Sequence, residues 1–162
     1  LVRQFVDDEV ISAAIEKYAD MVRRICFLYL RNSADVEDVF QEVFLKYFQH
    51  YTSLNDEEHH KAWLCRVAIN KCKDLRKSFW RRKVLSIEEM EGFDIPYETP
   101  EQSELMEAVL KLPPNLKELV YLHYYEGFPV PQIAEMLHKN PNTVYTQIRR
   151  ARELLKKKAE GI

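Results

Sequence analysis

The chain has 162 residues, with 24 Lys plus Arg against 26 Asp plus Glu and a formal net charge of −2. This length holds one ordinary domain or two small ones, and an apolar share of 46% supplies a buried core, which excludes disorder for most of the chain. Only 3 glycines are present, too few for a fold rich in tight hairpins, and the 31% of charged residues fall in helix-sized amphipathic blocks, so the expected class is all-α.

A first helix is predicted over residues 8–30, where Val10, Ala14, Ile15, Tyr18, Val22, Ile25 and Tyr29 recur at three- and four-residue steps; Asn32 and Ser33 break it. The longest wholly apolar run, residues 25–30, is far short of the roughly 20 residues that span a bilayer. No signal-peptide pattern precedes it, so a soluble, cytoplasmic protein is expected. The second helix, 34–49, carries Val36, Val39, Phe40, Val43, Phe44, Tyr47 and Phe48 as a complete i, i+3, i+4, i+7 stripe, predicted to be core. Its other side sets Asp38, Gln41, Glu42 and Leu45 at the same spacing. An apolar side chain among polar ones on a water-facing surface marks a candidate partner-binding face.

Residues 51–60 read as a polar loop, with His59 and His60 solvated. A third helix, 61–79, buries Leu64, Ala68, Cys72, Leu75 and Phe79 and turns Arg66, Asn70, Lys73 and Lys77 to another side. A basic stripe with one amide tracks phosphates and still offers a base contact. Residues 86–103, with Gly92, Pro96 and Pro100 among many acids, read as an interdomain linker with a short helical piece at 87–90.

A second unit begins near Glu104. Helices are predicted at 105–111 and at 115–126, the latter closing at Gly127, then at 131–138 and 141–159. Asn140 before Pro141 fits an N-cap with proline at the first helical position, where a missing N–H costs nothing. The last two helices form a helix-turn-helix. In the final one Val144, Ile148, Ala151 and Leu155 pack inward, which turns Thr143, Thr146, Gln147 and Arg150 outward. Gln bonds adenine bidentately, Arg bonds guanine, and Thr offers hydroxyl or methyl contacts. Arg149, Arg152, Lys156 and Lys157 are then phosphate contacts that set register. The domain layout is thus 1–83, a linker at 84–104, and 105–162.

The near-neutral total hides a strong asymmetry. Residues 61–83 hold nine bases and one acid, 84–110 hold eight acids and no base, and 141–162 hold six bases and two acids. Two cationic segments around an anionic one imply two anion-binding surfaces joined by a segment that the same anion repels. Nucleic acid is the candidate anion, and a set of solvated helix faces is the alternative. No Gly-rich phosphate loop, GxSxG, HExxH or EF-hand pattern occurs, so no catalytic centre, metal site, cofactor or small-molecule substrate is expected. Cys26, Cys65 and Cys72 form no CxxC pair and read as reduced small hydrophobes.

The block DVEDVFQEVFLKYF from Asp35, followed by AWLCRVAINKCKDLR from Ala62, resembles region 2 of bacterial RNA polymerase sigma factors. Leu112-Pro113, Glu126-Gly-Phe, Ile133-Ala-Glu-Met-Leu and TVYTQIRRAR from Thr143 resemble region 4. The two matches in this order, with a short acidic segment between, are similar to the extracytoplasmic-function (ECF) type. The resemblance implies that Asp38, Gln41, Glu42 and Leu45 dock on the clamp helices of the polymerase largest subunit. It implies that the following loop and Arg66, Asn70, Lys73 and Lys77 recognise the −10 element and capture a flipped base. Trp63, in the family's Trp-Leu pair, is read as core packing ahead of base stacking. Thr143, Thr146, Gln147, Arg149, Arg150 and Lys156 would read the −35 element, with region 4 also touching the polymerase flap. The acidic linker resembles segments that thread the RNA path, and an anti-sigma factor is expected by analogy. Pro129 stands where relatives often carry a Ser or Thr cap, and Gln147 replaces a frequent Arg. Two other readings are a dimeric helix-turn-helix regulator that is not a polymerase subunit, and a helical enzyme or scaffold that binds phosphorylated ligands.

Overall fold

The computed structural model describes residues 2–30, 32–82 and 100–159 and is helical, with no strand among the described residues. The chain divides into two compact units, 1–96 and 97–162.

The first unit is built from α1 (Val2–Tyr29), α2 (Ser33–His50) and α3 (Glu57–Arg82). α1 packs against both other helices, which explains its almost continuous burial from Met21 to Leu30: Val22, Ile25 and Cys26 are fully enclosed. A helix covered on two sides needs apolar residues nearly all round. α2 starts where Asn32 Oδ1 accepts the Ala34 N–H at 2.8 Å, so the residue expected to break one helix caps the next. Val36, Val39 and Val43 of α2 and Leu64, Ala68, Ile69 and Cys72 of α3 are all buried, and the two helices pack together. The apolar stripe of α2 is only partly core: Phe40 is half-buried and Phe48 exposed.

α3 starts four residues before the predicted Lys61. Asp56 caps it, its Oδ1 accepting the His59 N–H at 2.8 Å, and Glu57 and Glu58 place negative charge on the first turn. The expected loop therefore shrinks to a 3-10 turn, Tyr51–Ser53, and three further residues, and His59 and His60 are helical. All three cysteines are buried and none is in a disulfide. Leu75 is half-buried, and the expected burial of Phe79 lies outside the described side chains.

The second unit comprises α4 (Pro100–Leu110), α5 (Pro114–Val120), α6 (Val130–Leu137) and α7 (Pro141–Ala159). α4 reaches back into the stretch read as linker; residues 84–99, including the helical piece expected at 87–90, lie outside the described residues. The helix predicted to run to Glu126 stops being α-helical at Val120 and continues as a π-turn, Tyr121–Tyr125, ended by an N–H of Glu126 on the Tyr121 carbonyl at 3.1 Å. Gly127 then takes φ +77, a left-handed conformation that favours glycine. Met106, Leu116, Leu119, Leu122, Ile133, Val144 and Ala151 form the core.

Candidate nucleic-acid interface

Asp38, Gln41, Glu42 and Leu45 share one exposed side of α2, and Leu45 is 65% exposed. Their setting is wider than the spacing shows. Ile11 and Ile15 of α1 join Phe40, Phe44, Leu45 and Phe48 of α2 around an open groove of about 760 Å³. Glu42 lies 3.6 Å from the Lys71 ammonium of α3, and Glu37 lies 3.1 Å from Arg23, whose guanidinium covers the Phe40 ring at 4.2 Å. α2 is thus held at its rim by ion pairs with both neighbours. The sequence places Phe48 in the core stripe and Ile15 among the periodic apolar residues of α1, and does not single out Ile11, because a stripe's edge cannot be told from its centre until the neighbouring helix is placed.

Beyond α2 an aromatic cluster anchors the turn into α3. The Tyr47 hydroxyl and His60 Nδ1 are 2.7 Å apart, so His60 is a structural partner and not a solvated loop residue. The Tyr47 ring lies 5.9 Å from Trp63 and 6.0 Å from Tyr51, and His50 lies 5.9 Å from Trp63. Burial, and then the neighbouring Tyr18 and Tyr51, push the Tyr47 phenol above its ordinary range, so it stays protonated. Trp63 and Tyr51 remain half-buried. Along α3, Arg66, Asn70 and Lys77 are exposed and Lys73 is half-buried, which leaves a cationic strip leading away from the rings.

In the second unit the helix-turn-helix is set by backbone geometry. α6 closes at His138, which adopts a left-handed φ of 54, while the Lys139 N–H reaches back to the Ala134 carbonyl at 2.8 Å. The Lys139 ammonium lies 3.6 Å from Glu118, a carboxylate only 4% exposed on α5, so the turn is tethered to the domain core. Asn140 Oδ1 accepts the Asn142 N–H at 2.9 Å and starts α7, as the Asn-Pro pair predicts. Pro129 offers no side-chain cap to α6.

Val144, Ile148 and Ala151 pack inward, and Leu155 is half-buried. Thr143, Thr146, Arg149, Arg150 and Lys156 are exposed. Thr146 Oγ1 donates to the Asn142 carbonyl at 3.0 Å, which fixes its rotamer. Gln147 departs from the expected arc: it is half-buried, with an enclosed Oε1 that has no hydrogen-bond partner. Two exposed aromatics fall beside the cations without having been singled out from the sequence: Tyr145, and Tyr124 under the Arg152 guanidinium at 5.9 Å.

Residues 14–82 match the family model for sigma-70 region 2, and residues 102–155 match that for sigma-70 region 4. The ECF RNA polymerase sigma-E factor of Haemophilus influenzae is 28% identical over 172 residues, covering 96% of this chain and 90% of that protein. The ECF RNA polymerase sigma factor SigW of Bacillus subtilis is 26% identical, covering 96% and 92%. The chain belongs to the ECF-type RNA polymerase sigma factors. This sigma factor is a polymerase-binding, promoter-recognition protein, and the reading as an independent dimeric regulator is not favoured. Its fold is shared with sigma factor RpoE of Bartonella quintana, solved with the anti-sigma factor NepR, at a TM-score of 0.70, 18% identity and coverage of 90% of this chain and 94% of that one. CnrH, solved with the cytosolic domain of CnrY, gives 0.64 at 19% identity, covering 95% and 90%. No helix among the described residues is long and apolar enough to cross a membrane.

Proposed function

We propose a division of labour between the two units. α2 presents Leu45, with Asp38, Gln41 and Glu42 around it, to the clamp helices of the polymerase largest subunit; the apolar side chain supplies burial and the acids supply orientation and encounter rate. α3 lies along the −10 element, where Arg66, Lys73 and Lys77 follow the backbone and Asn70 faces a base edge. Extruding a base costs a few kcal/mol, and stacking recovers about 1–3 kcal/mol per base, so the half-buried rings of Tyr51 and Trp63 border the place where an unpaired base is received.

α7 enters the major groove of the −35 element, with Thr143, Thr146 and Arg150 toward base edges and Arg149 and Lys156 toward phosphates, while the half-buried Gln147 stays at the edge of that face. The second unit also touches the polymerase flap. The acidic stretch at 84–104 occupies a path that nucleic acid later takes, since its carboxylates match the polarity of a phosphate backbone. The protein works in the cytoplasm, performs no catalysis itself and is held in reserve by an anti-sigma factor that covers its polymerase-docking surface. The first unit serves docking and −10 contact and the second, which includes α4 from Pro100 and so starts before the expected residue 105, serves −35 contact.

The observation that carries this reading is the arrangement of α7. Its buried stripe locks it to a turn tethered by Lys139 and Glu118, and its free side exposes threonines and arginines together. Run-off transcription by purified core polymerase on a promoter selected with the reconstituted holoenzyme tests it. Transcripts that require this protein are expected; equal transcription in its absence overturns the reading.

A further inference from the structure

The solvent-facing arc of α7 differs from the one that spacing alone predicts. At about 100° per residue, the buried Val144, Ile148 and Ala151 gather on one side, and the exposed Thr143, Thr146, Arg149 and Arg150 lie across from them. Gln147 and Tyr145 occupy the two edges of that arc. One end of the Gln147 amide is shut away from solvent. Whichever heteroatom is turned inward, such an amide cannot present donor and acceptor together, which bidentate readout of adenine requires.

Tyr145 is the converse case. It is 55% exposed and has no hydrogen bond, ion pair or ring contact among the described residues. It is the fifth residue of α7, within the N-terminal part of a recognition helix that reaches base edges. Arg149 follows four residues later and Arg152 seven later, so the ring heads a stripe whose next members are cations suited to phosphates.

In the major groove the base pairs present hydrogen-bond donors, acceptors and one apolar group, the 5-methyl of thymine. A phenol ring buries favourably only against the last of these. We propose that Tyr145 is a base-reading residue, packing its ring on the 5-methyl of one thymine in the −35 element and so supplying specificity that the enclosed Gln147 amide does not. This rests on the reading of α7 as the −35 recognition helix. The ring is the reading group and the hydroxyl is not required.

The test uses holoenzyme reconstituted from core polymerase and the full chain, on duplexes selected by that holoenzyme. Each thymine of the protected −35 region is replaced singly by deoxyuridine, which deletes only the methyl. Wild type is expected to lose about fourfold in affinity at one position, the equivalent of one methyl-sized group no longer taken out of water. Y145A should bind the thymine duplex about as weakly as wild type binds that deoxyuridine duplex, and should show no further loss on it; Y145F should behave as wild type. Persistence of the deoxyuridine effect in Y145A, or no such position in wild type, overturns the proposal. Holoenzyme that forms and protects the −35 region while either of those results is obtained refutes Tyr145 alone. Failure to form holoenzyme, or to protect that region, refutes the underlying assignment of α7 instead.

Discussion

Arg150 and Lys156 both stand exposed on α7, yet their removal should have different signatures. Six residues separate them, about 9 Å along the axis and about 120° around it, so one groove edge cannot hold both. Arg150 is nine residues past Pro141 and within reach of base edges; Lys156 lies about 1.7 turns further along, where the helix meets the backbone. A lost bidentate contact costs about 1–3 kcal/mol of discrimination, so Arg150→Ala should flatten preference at one base pair by about 5- to 150-fold. Lys156→Ala should leave every preference intact and weaken all duplexes alike. Each phosphate contact adds about −0.9 to the slope of log affinity against log salt. A fourfold rise in salt, 50 to 200 mM, should therefore shrink the gap between wild type and Lys156→Ala by about 3.5-fold. Holoenzyme titration of fluorescent duplexes with single-position changes, at both salt concentrations, reads both effects. Uniform weakening by both substitutions, with equal changes in salt slope, would show that the faces of α7 are wrongly assigned.

Other outcomes follow from the packing. Leu45→Glu places a charge where an exposed leucine is expected to be buried on docking, and should cut affinity for core polymerase at least tenfold, given about 1.5–3 kcal/mol for burying such a side chain, while leaving the circular dichroism and melting of the free protein unchanged. Ile133→Ala empties a fully enclosed site between α6 and the rest of the second unit; a loss of about 2–5 kcal/mol should lower the melting of that unit and abolish −35 protection before −10 contacts. The Cys72 thiol is pushed up by its hydrogen bond with Cys26 and by burial, so native protein should resist thiol reagents near neutral pH and yield three reactive thiols only on unfolding. Because the raised group keeps its proton in the folded state, its contribution to stability is present below the unfolded thiol's ordinary value of about 9.0 and is lost as pH climbs beyond it. Denaturant melts between pH 7 and 10 check the direction.

The two units and their helices were legible because amphipathic spacing is strong in each: Val36, Val39 and Val43 on α2, or Val144, Ile148 and Ala151 on α7, recur at helical steps and are buried as that spacing requires. What spacing could not resolve was the limit of each buried face. Phe48 continues the stripe of α2 in sequence but is 44% exposed and lines an open groove. The start of α3 was legible in principle, since Asp56 followed by Glu57 and Glu58 is a cap with a negative first turn; the two histidines masked it by reading as loop residues. The π-turn at Tyr121–Tyr125 carries no composition signal, because Tyr, Leu and His fit an α-helix and the departure is a matter of hydrogen-bond register. Gln147 and Tyr145 show the same limit at the interface. Spacing puts Gln147 on the outward face and does not single out Tyr145, and only the neighbouring side chains decide that the glutamine is half-buried and the tyrosine exposed.

The central claim is that two cationic helices act on one promoter only when the chain is seated on core polymerase. Footprinting one promoter with the free protein, with core polymerase, and with the two combined measures this directly. Protection of the −10 and −35 elements by the combination alone is expected. Protection by the free protein of a symmetric site, or no protection gained on adding it to core, would contradict the account.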